Sequence, residues 1–503
     1  MMKKNNLTRL LLVILSLVLV LGIFAACSPK KPSKGDPGKE DPGKTDPGKD
    51  DPQEEPRIEI DLGEHNWNGA EYHVLEWSAN GQDQVGQSWI PWAEIDVEND
   101  DGDTIGSAIY SRNSSIEEKY GVVISTEYKS VDGGAYINAV RASNQAADNN
   151  YQLLTIRTVN MVSLIQEKQT LDLRQYENVL HFDQPWWVAD SVTSFALGDH
   201  LYVASSELLL RDKGATATMF YNQRLADDKG VANLYELVDN KEWTLDKMLE
   251  ISEGVTENLE DTDITNDVWG CAGAKDSIYY IYNGFGQKFG HMDEDGYLTM
   301  DFGTGDSITI MQEVLELFMY SDAFCNTAIN KDLANAFRDG QALFASYYLK
   351  KVNSLRSEME DTYGILPNPL YDESQENYSS LVWIHHDCVL GIPSQVADVE
   401  MATVILEALS YESYYTTYPK FYETVLMNRS THDNDSKRML QIVFDTRSYD
   451  PGQYWTTTSG LHGTNAIMAL TDMKSTAIAS LWESYRNAVE KDVTEVNEWI
   501  DEN

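Results

Sequence analysis

The spacing of apolar and polar positions divides the chain into three stretches. Residues 10–26 are apolar or small and carry no charge, whereas residues 28–56 contain no Val, Ile, Leu, Phe, Trp or Tyr. From about residue 57 onward, strand-like and helix-like runs alternate. Residues 71–77 read as a strand, and 104–120 as a helix stopped by Gly121. Residues 122–128 read as a second strand, 136–147 as a helix, 151–156 as a third strand and 160–169 as a further helical run. This β-α-β-α-β-α rhythm predicts a parallel sheet covered by helices. In such sheets ligands bind outside the carboxyl ends of strands, where the strand order switches, so the loops after Trp77 and Ile156 are the ones to watch.

The middle of the chain follows another pattern. Residues 217–221 read as a short strand and 222–229 as a helical turn closed by Gly230. Thr244 is placed to cap a helix whose apolar spacing appears at 247–251. Asp293-Glu294-Asp295-Gly296 reads as a hairpin turn, and 308–319 as an amphipathic helix. Phe337-Arg338-Asp339-Gly340 ends a helix and launches a strand over 341–347. After the strand-like run 384–392 the chain is mostly helical, most clearly at 401–409, 414–427, 437–444 and 476–499. The pattern predicts an α/β first lobe and a mixed second one.

Composition narrows the function. At about 100–200 residues per domain, 503 residues make two to four domains or two large lobes. Against 38 Lys and Arg stand 81 Asp and Glu, a formal charge of −43. That balance excludes nucleic acid as a partner and a folded body lying on an anionic membrane. Apolar residues at 42% and aromatics at 11% are ample for real cores, so the acidity belongs to the surface.

The first 26 residues read as an address. Lys3, Lys4 and Arg9 precede the apolar run, which exits through Phe24-Ala25-Ala26-Cys27. This resembles a bacterial lipoprotein signal, with Phe24 where Leu is usual. The resemblance implies cleavage before Cys27 and a diacylglyceryl group on its sulfur, the alternative being an uncleaved N-terminal anchor. Residues 28–56 repeat Asp-Pro-Gly-Lys at 36–39, 41–44 and 46–49. With no apolar face to bury, this is a spacer reaching on the order of 80–90 Å when drawn out. Cys271, Cys325 and Cys388 remain, an odd number that allows at most one disulfide, with no spacing that suggests a metal cluster.

Met219-Phe220-Tyr221-Asn222, Leu225, Tyr235-Glu236-Leu237-Val238 and Glu242-Trp243-Thr244-Leu245-Asp246-Lys247 resemble the central motif of extracellular solute-binding proteins, family 1, of ABC importers. Phe337-Arg338-Asp339-Gly340-Gln341-Ala342-Leu343-Phe344 resembles that family's helix-Gly-strand element. Tyr363-Gly364-Ile365-Leu366-Pro367-Asn368-Pro369 resembles its return strand, with residues 371–378 following as in long clostridial-type members. The resemblance spans most of 71–482 and implies an α/β, two-lobe, type II periplasmic-binding-protein clamshell with several hinge crossings. By that analogy lobe one is 58–207 plus 364–411, and lobe two is 208–363 plus 412–503. The implied function is a lipid-anchored receptor on the extracellular face of the membrane that passes a carbohydrate or oligosaccharide to an ABC permease. The expected state is a monomer without cofactor that touches the membrane only through its anchor.

Maltose-like members of the family hold sugars with aromatic faces and charge-assisted hydrogen bonds, which suit the apolar faces and polar rims of sugar rings. Trp77 and Arg157 end the first and third strands, so both are expected at the cleft edge. Glu207 lies where the chain first crosses between lobes, with a structural ion pair as the alternative role. Trp269 and Tyr280 flank the helix that begins near Asp276, and Tyr347 and Tyr348 end the strand after Gly340. Trp383 precedes an apolar strand and has core packing as its better-supported role, while Trp186 and Trp187 are expected to pack. His385 and His386, adjacent on a predicted strand, point to opposite faces and cannot share a metal. The carboxylates of 96–103 lack the calcium-loop order. A surface glycoside hydrolase using two carboxylates, or a sugar sensor or adhesion lipoprotein that does not transport, are the competing functions.

Overall fold

The computed structural model describes residues 56–78, 93–97, 102, 104–130, 134–257, 266–326, 335–426, 434–456 and 466–503. The signal segment, Cys27 and the Asp-Pro-Gly-Lys spacer lie outside the described residues, as does most of 96–103. Glu59–Asn503 forms one compact unit.

Two sheets organise that unit. The first contains β1 (Ala70–Ser78), β2 (Val122–Ser130), β3 (Leu153–Arg157) and β12 (Cys388–Gly391), in the order β12-β3-β1-β2. β1 runs parallel to both β2 and β3, and β12 joins β3 antiparallel. β1 is therefore the switch point, with successive crossovers leaving it on opposite sides. The helices between these strands form where the sequence places them: Thr104–Tyr120 agrees at both ends, and Gly121 stops it with φ +63.

The second sheet has the order β10-β4-β9-β5-β8, from β4 (Ala217–Asn222), β5 (Trp269–Gly273), β8 (Phe324–Asn326), β9 (Ala342–Tyr348) and β10 (Tyr363–Leu366). β9 is antiparallel to β4 and parallel to β5. Thr244 caps its helix by accepting from the Lys247 amide, and Asn222 caps Gln223–Lys229 in the same way. The turn at 293–296 closes the antiparallel pair β6 (Gly290–Met292) and β7 (Leu298–Met300), with Gly296 at φ +78. Residues 335–340 are turns that end at Gly340, which corrects the helix end expected at Phe337–Gly340, and residues 327–334 before them lie outside the described residues.

Each sheet has its own hydrophobic core. A third cluster joins Ile105, Ile109 and Leu210 to Phe220, Ala345 and Phe421. Three segments cross between the sheets side by side. Ala204 bridges Leu390 and Thr216 bridges Val382. β11 (Ser380–Leu381) pairs parallel with β13 (Arg447–Ser448). Two details correct the expected lobe limits. Residue 364 lies inside β10, which pairs with β4 in the second sheet, and the last helix, Ile478–Glu502, packs Trp482 and Val489 on the second core but Val496 and Ile500 on the first. No described helix is long and apolar enough to cross a membrane.

Cys271 and Cys325 belong to neighbouring parallel strands, but Cys271 is level with Phe324 and Cys325 with Ala272. Successive residues of a strand face opposite sides, so the two thiols are on opposite faces of the sheet and cannot pair. Both, like Cys388, are free and buried.

The first crossing carries a closed cycle of charges. Glu207 pairs with Lys213 and Arg447, each at 2.7 Å, and Asp212 pairs with the same two bases at 3.3 and 2.9 Å. All four side chains are at most 7% exposed. Burial alone would raise the Glu207 carboxyl, but Lys213 and Arg447 hold it below its ordinary value. The Glu207 carboxylate thus has the structural role, and Glu207→Gln, which leaves a buried base short of its counter-charge, is expected to lower unfolding free energy by about 3–5 kcal/mol. In the same denaturant titration Glu423→Gln, which breaks the half-exposed Lys420 pair, should cost no more than about 1 kcal/mol.

Candidate functional site

Strand ends build the site. Glu76 of β1 is level with Thr155 of β3, so the next residues bring Trp77 and Arg157 to the same sheet edge. The Arg157 guanidinium is 5.5 Å from the Trp77 ring and the Arg211 guanidinium 4.8 Å. Arg211 is fixed there by a 3.0 Å bond to the Trp77 carbonyl and by ion pairs with Glu94 at 2.7 Å and Glu76 at 3.4 Å. Burial would lower its pKa, but those carboxylates hold it above the ordinary value.

The segment between β11 and β12 forms the next side. Arg157 donates to the His385 carbonyl through Nε at 3.3 Å and Nη2 at 3.1 Å. Residues 384–386 form a turn, which corrects the strand expected there; the His386 amide closes it on the Trp383 carbonyl at 2.9 Å. The two histidine rings diverge all the same: His385 packs 5.0 Å from Trp383, and His386 4.9 Å from Tyr348.

The second sheet supplies the remainder. Trp383, 1% exposed, stacks on Tyr279 at 5.1 Å and meets Tyr280 edge-on at 5.7 Å. Tyr280 in turn lies 6.2 Å from Tyr348, and the Lys350 ammonium is 4.7 Å from the Tyr348 ring. The Leu349 amide donates to the Thr216 carbonyl at 2.9 Å, which ties the end of β9 to the first crossing.

The electrostatics are uneven. Burial lowers the Lys350 pKa to about 7; Lys351, Arg211 and Arg157 push the same way, and Asp276 opposes them. Burial raises the Asp276 carboxyl, with Lys350 and Lys275 opposing. His386 is driven to about 2 by burial and then by Lys350, His385, Arg157 and Lys351. Asp387 is raised to about 8, chiefly by burial, while the Thr158 hydroxyl and Arg157 pull it down. Trp77 Nε1 and Tyr280 Oη are buried and have no hydrogen-bond partner among the described residues. Aromatic faces, cations and unengaged donors together can hold a polar solute with a flat apolar side. No group of three His, Cys, Asp or Glu among the described residues could hold a metal ion.

Trp77, Arg157, Tyr280, Tyr348 and Trp383 therefore come together. Tyr347 shares the strand end but faces the opposite side, into the third cluster, with Lys351 5.3 Å from its ring. Glu207 belongs to the charge cycle. Trp269 is level with Ala342 at the start of β9, six residues before Tyr348, so it lies about 20 Å from the end that carries Tyr348. The sequence shows Trp269 near the helix but hides the strand that separates them. Trp186 and Trp187 pack as expected, both donating indole N–H to Glu407 at 2.8 and 2.9 Å. Sequence reasoning missed Lys350, Asp276, Arg211 and Asp387. Only Lys350 had a usable signal, standing two residues beyond a predicted strand end.

No family model and no curated protein matches the chain. Solved structures do. UspC of M. tuberculosis superposes with a TM-score of 0.55 at 12% identity, covering 84% of this chain and 100% of that one. A sugar transporter from Rhizobium etli in an open conformation gives 0.53 at 12%, covering 85% and 99%. The GacH receptor of Streptomyces glaucescens, described unliganded and in complex with acarbose and an acarbose homolog, gives 0.50 at 13%, covering 84% and 99%. The fold is thus the α/β, two-lobe, periplasmic-binding-protein-like clamshell, with several crossings at its hinge.

Because Asp387 titrates near 8 in the fold against an ordinary value of 3.8, its contribution to stability is fully present below about pH 4 and lost as pH rises through about 8. Asp387→Asn removes this titration. Between about pH 4 and about pH 9 the melting temperature of the natural protein should fall steadily relative to that of Asp387→Asn; parallel melting curves across the range would show that Asp387 ionises normally.

Proposed function

We propose that this protein is the solute receptor of an ABC importer: a monomer, tethered through Cys27 to the outer face of the cell membrane, that binds a carbohydrate between its two sheets and presents it to a permease. The observation that carries this reading is the meeting of the β1 and β3 ends of one sheet with the β9 end of the other around Trp77, Tyr348, Tyr280 and Trp383. A ligand that touches both sheets favours the arrangement in which they are close, so binding and closure are one equilibrium. The likeness to a sugar transporter and to a receptor described with acarbose points to the same ligand class. The lipoprotein-like start and the long spacer match a protein that captures outside the cell while staying near its transporter.

On this reading lobe one is residues 58–207 together with the part from β12 through the Val399–Tyr415 helix, and lobe two holds β4 to β10 and most of the C-terminal helices. Trp77, Arg157, Tyr280, Tyr348 and Trp383 contact the solute.

A thermal-shift screen of mono- and oligosaccharides tests the proposal. A true ligand raises the melting temperature by mass action on the native state, and X-ray scattering should show the envelope contracting on its addition. New reducing ends after incubation with labelled glycans would identify a hydrolase instead, and an envelope unchanged by a ligand that does bind would remove the closing receptor.

A further inference from the structure

Asp387 differs from the other deeply buried acids of this protein. Glu407 accepts from the Trp186 and Trp187 indoles, Asp450 from the Phe289 and Gly290 amides, and Asp212 from Arg447 and the Ser205 hydroxyl. Asp387 is 0% exposed, yet neither of its oxygens has a hydrogen-bond partner among the described residues. The Thr158 hydroxyl is near enough to lower its pKa, but no partner is within hydrogen-bonding geometry of that hydroxyl either. A buried carboxyl with both oxygens unengaged is costly, and the fold has satisfied its other acids.

The position of Asp387 gives that cost a use. Cys388 of β12 is level with Arg157, so Asp387 is level with Thr158, just past the carboxyl end of β3 and beside the switch in strand order. The preceding residue, His386, turns its ring to Tyr348 of the second sheet at 4.9 Å, so the segment runs between the two sheets.

We propose that Asp387 is the specificity-determining residue of the cleft, its two carboxyl oxygens accepting from two hydroxyls on adjacent carbons of the solute. The inference rests on the receptor reading and names the contact that reads the solute. Two oxygens of one carboxylate match two neighbouring hydroxyls, and charge-assisted bonds of this kind are stronger than neutral ones.

The contact has a signature in protons. Burial raises Asp387 to about 8, so near pH 7 it is mostly the neutral acid in the free protein. Hydroxyl donors favour the ionised form and lower that value, so binding sends the carboxyl proton to solvent and tightens as pH rises towards 8. The groups that face Asp387 are Thr158 and Arg157 at the β3 end, Asp212 on the first crossing, Tyr449 beyond β13, Tyr454 on the Pro451–Trp455 helix, and the neighbouring Cys388. Lys350, which titrates near 7, is unchanged in Asp387→Asn, so a difference between the two proteins belongs to Asp387.

Calorimetry on the full-length mature chain should titrate glucose, galactose, mannose, xylose and maltotriose at about pH 6 and about pH 9, then the monodeoxy derivatives of the tightest binder. In the natural protein the affinity should rise at least about fivefold between the two pH values, with proton release in buffers of different ionisation enthalpy, and two derivatives lacking adjacent hydroxyls should bind about tenfold more weakly. Asp387→Asn, which keeps one acceptor and loses the charge, should bind the parent sugar about tenfold more weakly, with a flatter pH dependence and a smaller penalty for those two derivatives. If Asp387→Asn fails to fold, proton release and the deoxy series of the natural protein decide in its place. Equal pH dependence in the two proteins, an Asp387→Asn affinity within about twofold of the natural one, or binding without proton release overturns the role of Asp387 and leaves the sugar receptor standing; binding of none of these sugars overturns both.

Discussion

Four charged side chains, Glu207, Arg211, Asp212 and Lys213, pass through the interior within residues 201–222, a run in which every residue is buried. Water cannot solvate them there, so each must find its counter-charge in the protein. The partners come from distant parts of the chain. Arg211 takes Glu76 from β1 and Glu94 from the segment after it, while Glu207 and Asp212 take Arg447 from β13. The crossing can therefore exist as seen only once the first sheet and the C-terminal third have assembled around it. The constraint reaches the site directly, because the same Arg211 that satisfies Glu76 and Glu94 lies 4.8 Å from the Trp77 ring and bonds its carbonyl.

Neighbouring crossings follow the same logic. The Trp383 amide donates to the Ala215 carbonyl and the Val382 amide to the Ser448 carbonyl, so the three connections form a narrow ribbon whose backbone groups satisfy one another. The last helix adds a second constraint, since its two halves lie on different cores and any relative motion of the sheets must be accommodated along it.

The regular elements were legible because local chemistry marks their ends. Thr104–Tyr120 stops at a glycine in the left-handed region, and Leu245–Val255 starts at a threonine that caps it. The parallel run of β1, β2 and β3 followed from the β-α-β rhythm, but the direction and partnership of the shorter strands did not. Tyr363–Leu366 and Cys388–Gly391 are each four residues of buried backbone, and nothing in so short an apolar run tells which sheet it will join. The turn at 384–386 was read as strand because Ile384 extends the apolar run backwards, whereas its geometry is set by Arg157 binding the His385 carbonyl from more than two hundred positions away. The aromatic part of the candidate site followed from counting strand ends. Apart from Arg157, which ends β3, its charged part did not, because Arg211 and Asp387 are placed by partners that only the folded chain brings near, and with 81 acids in the sequence none stands out.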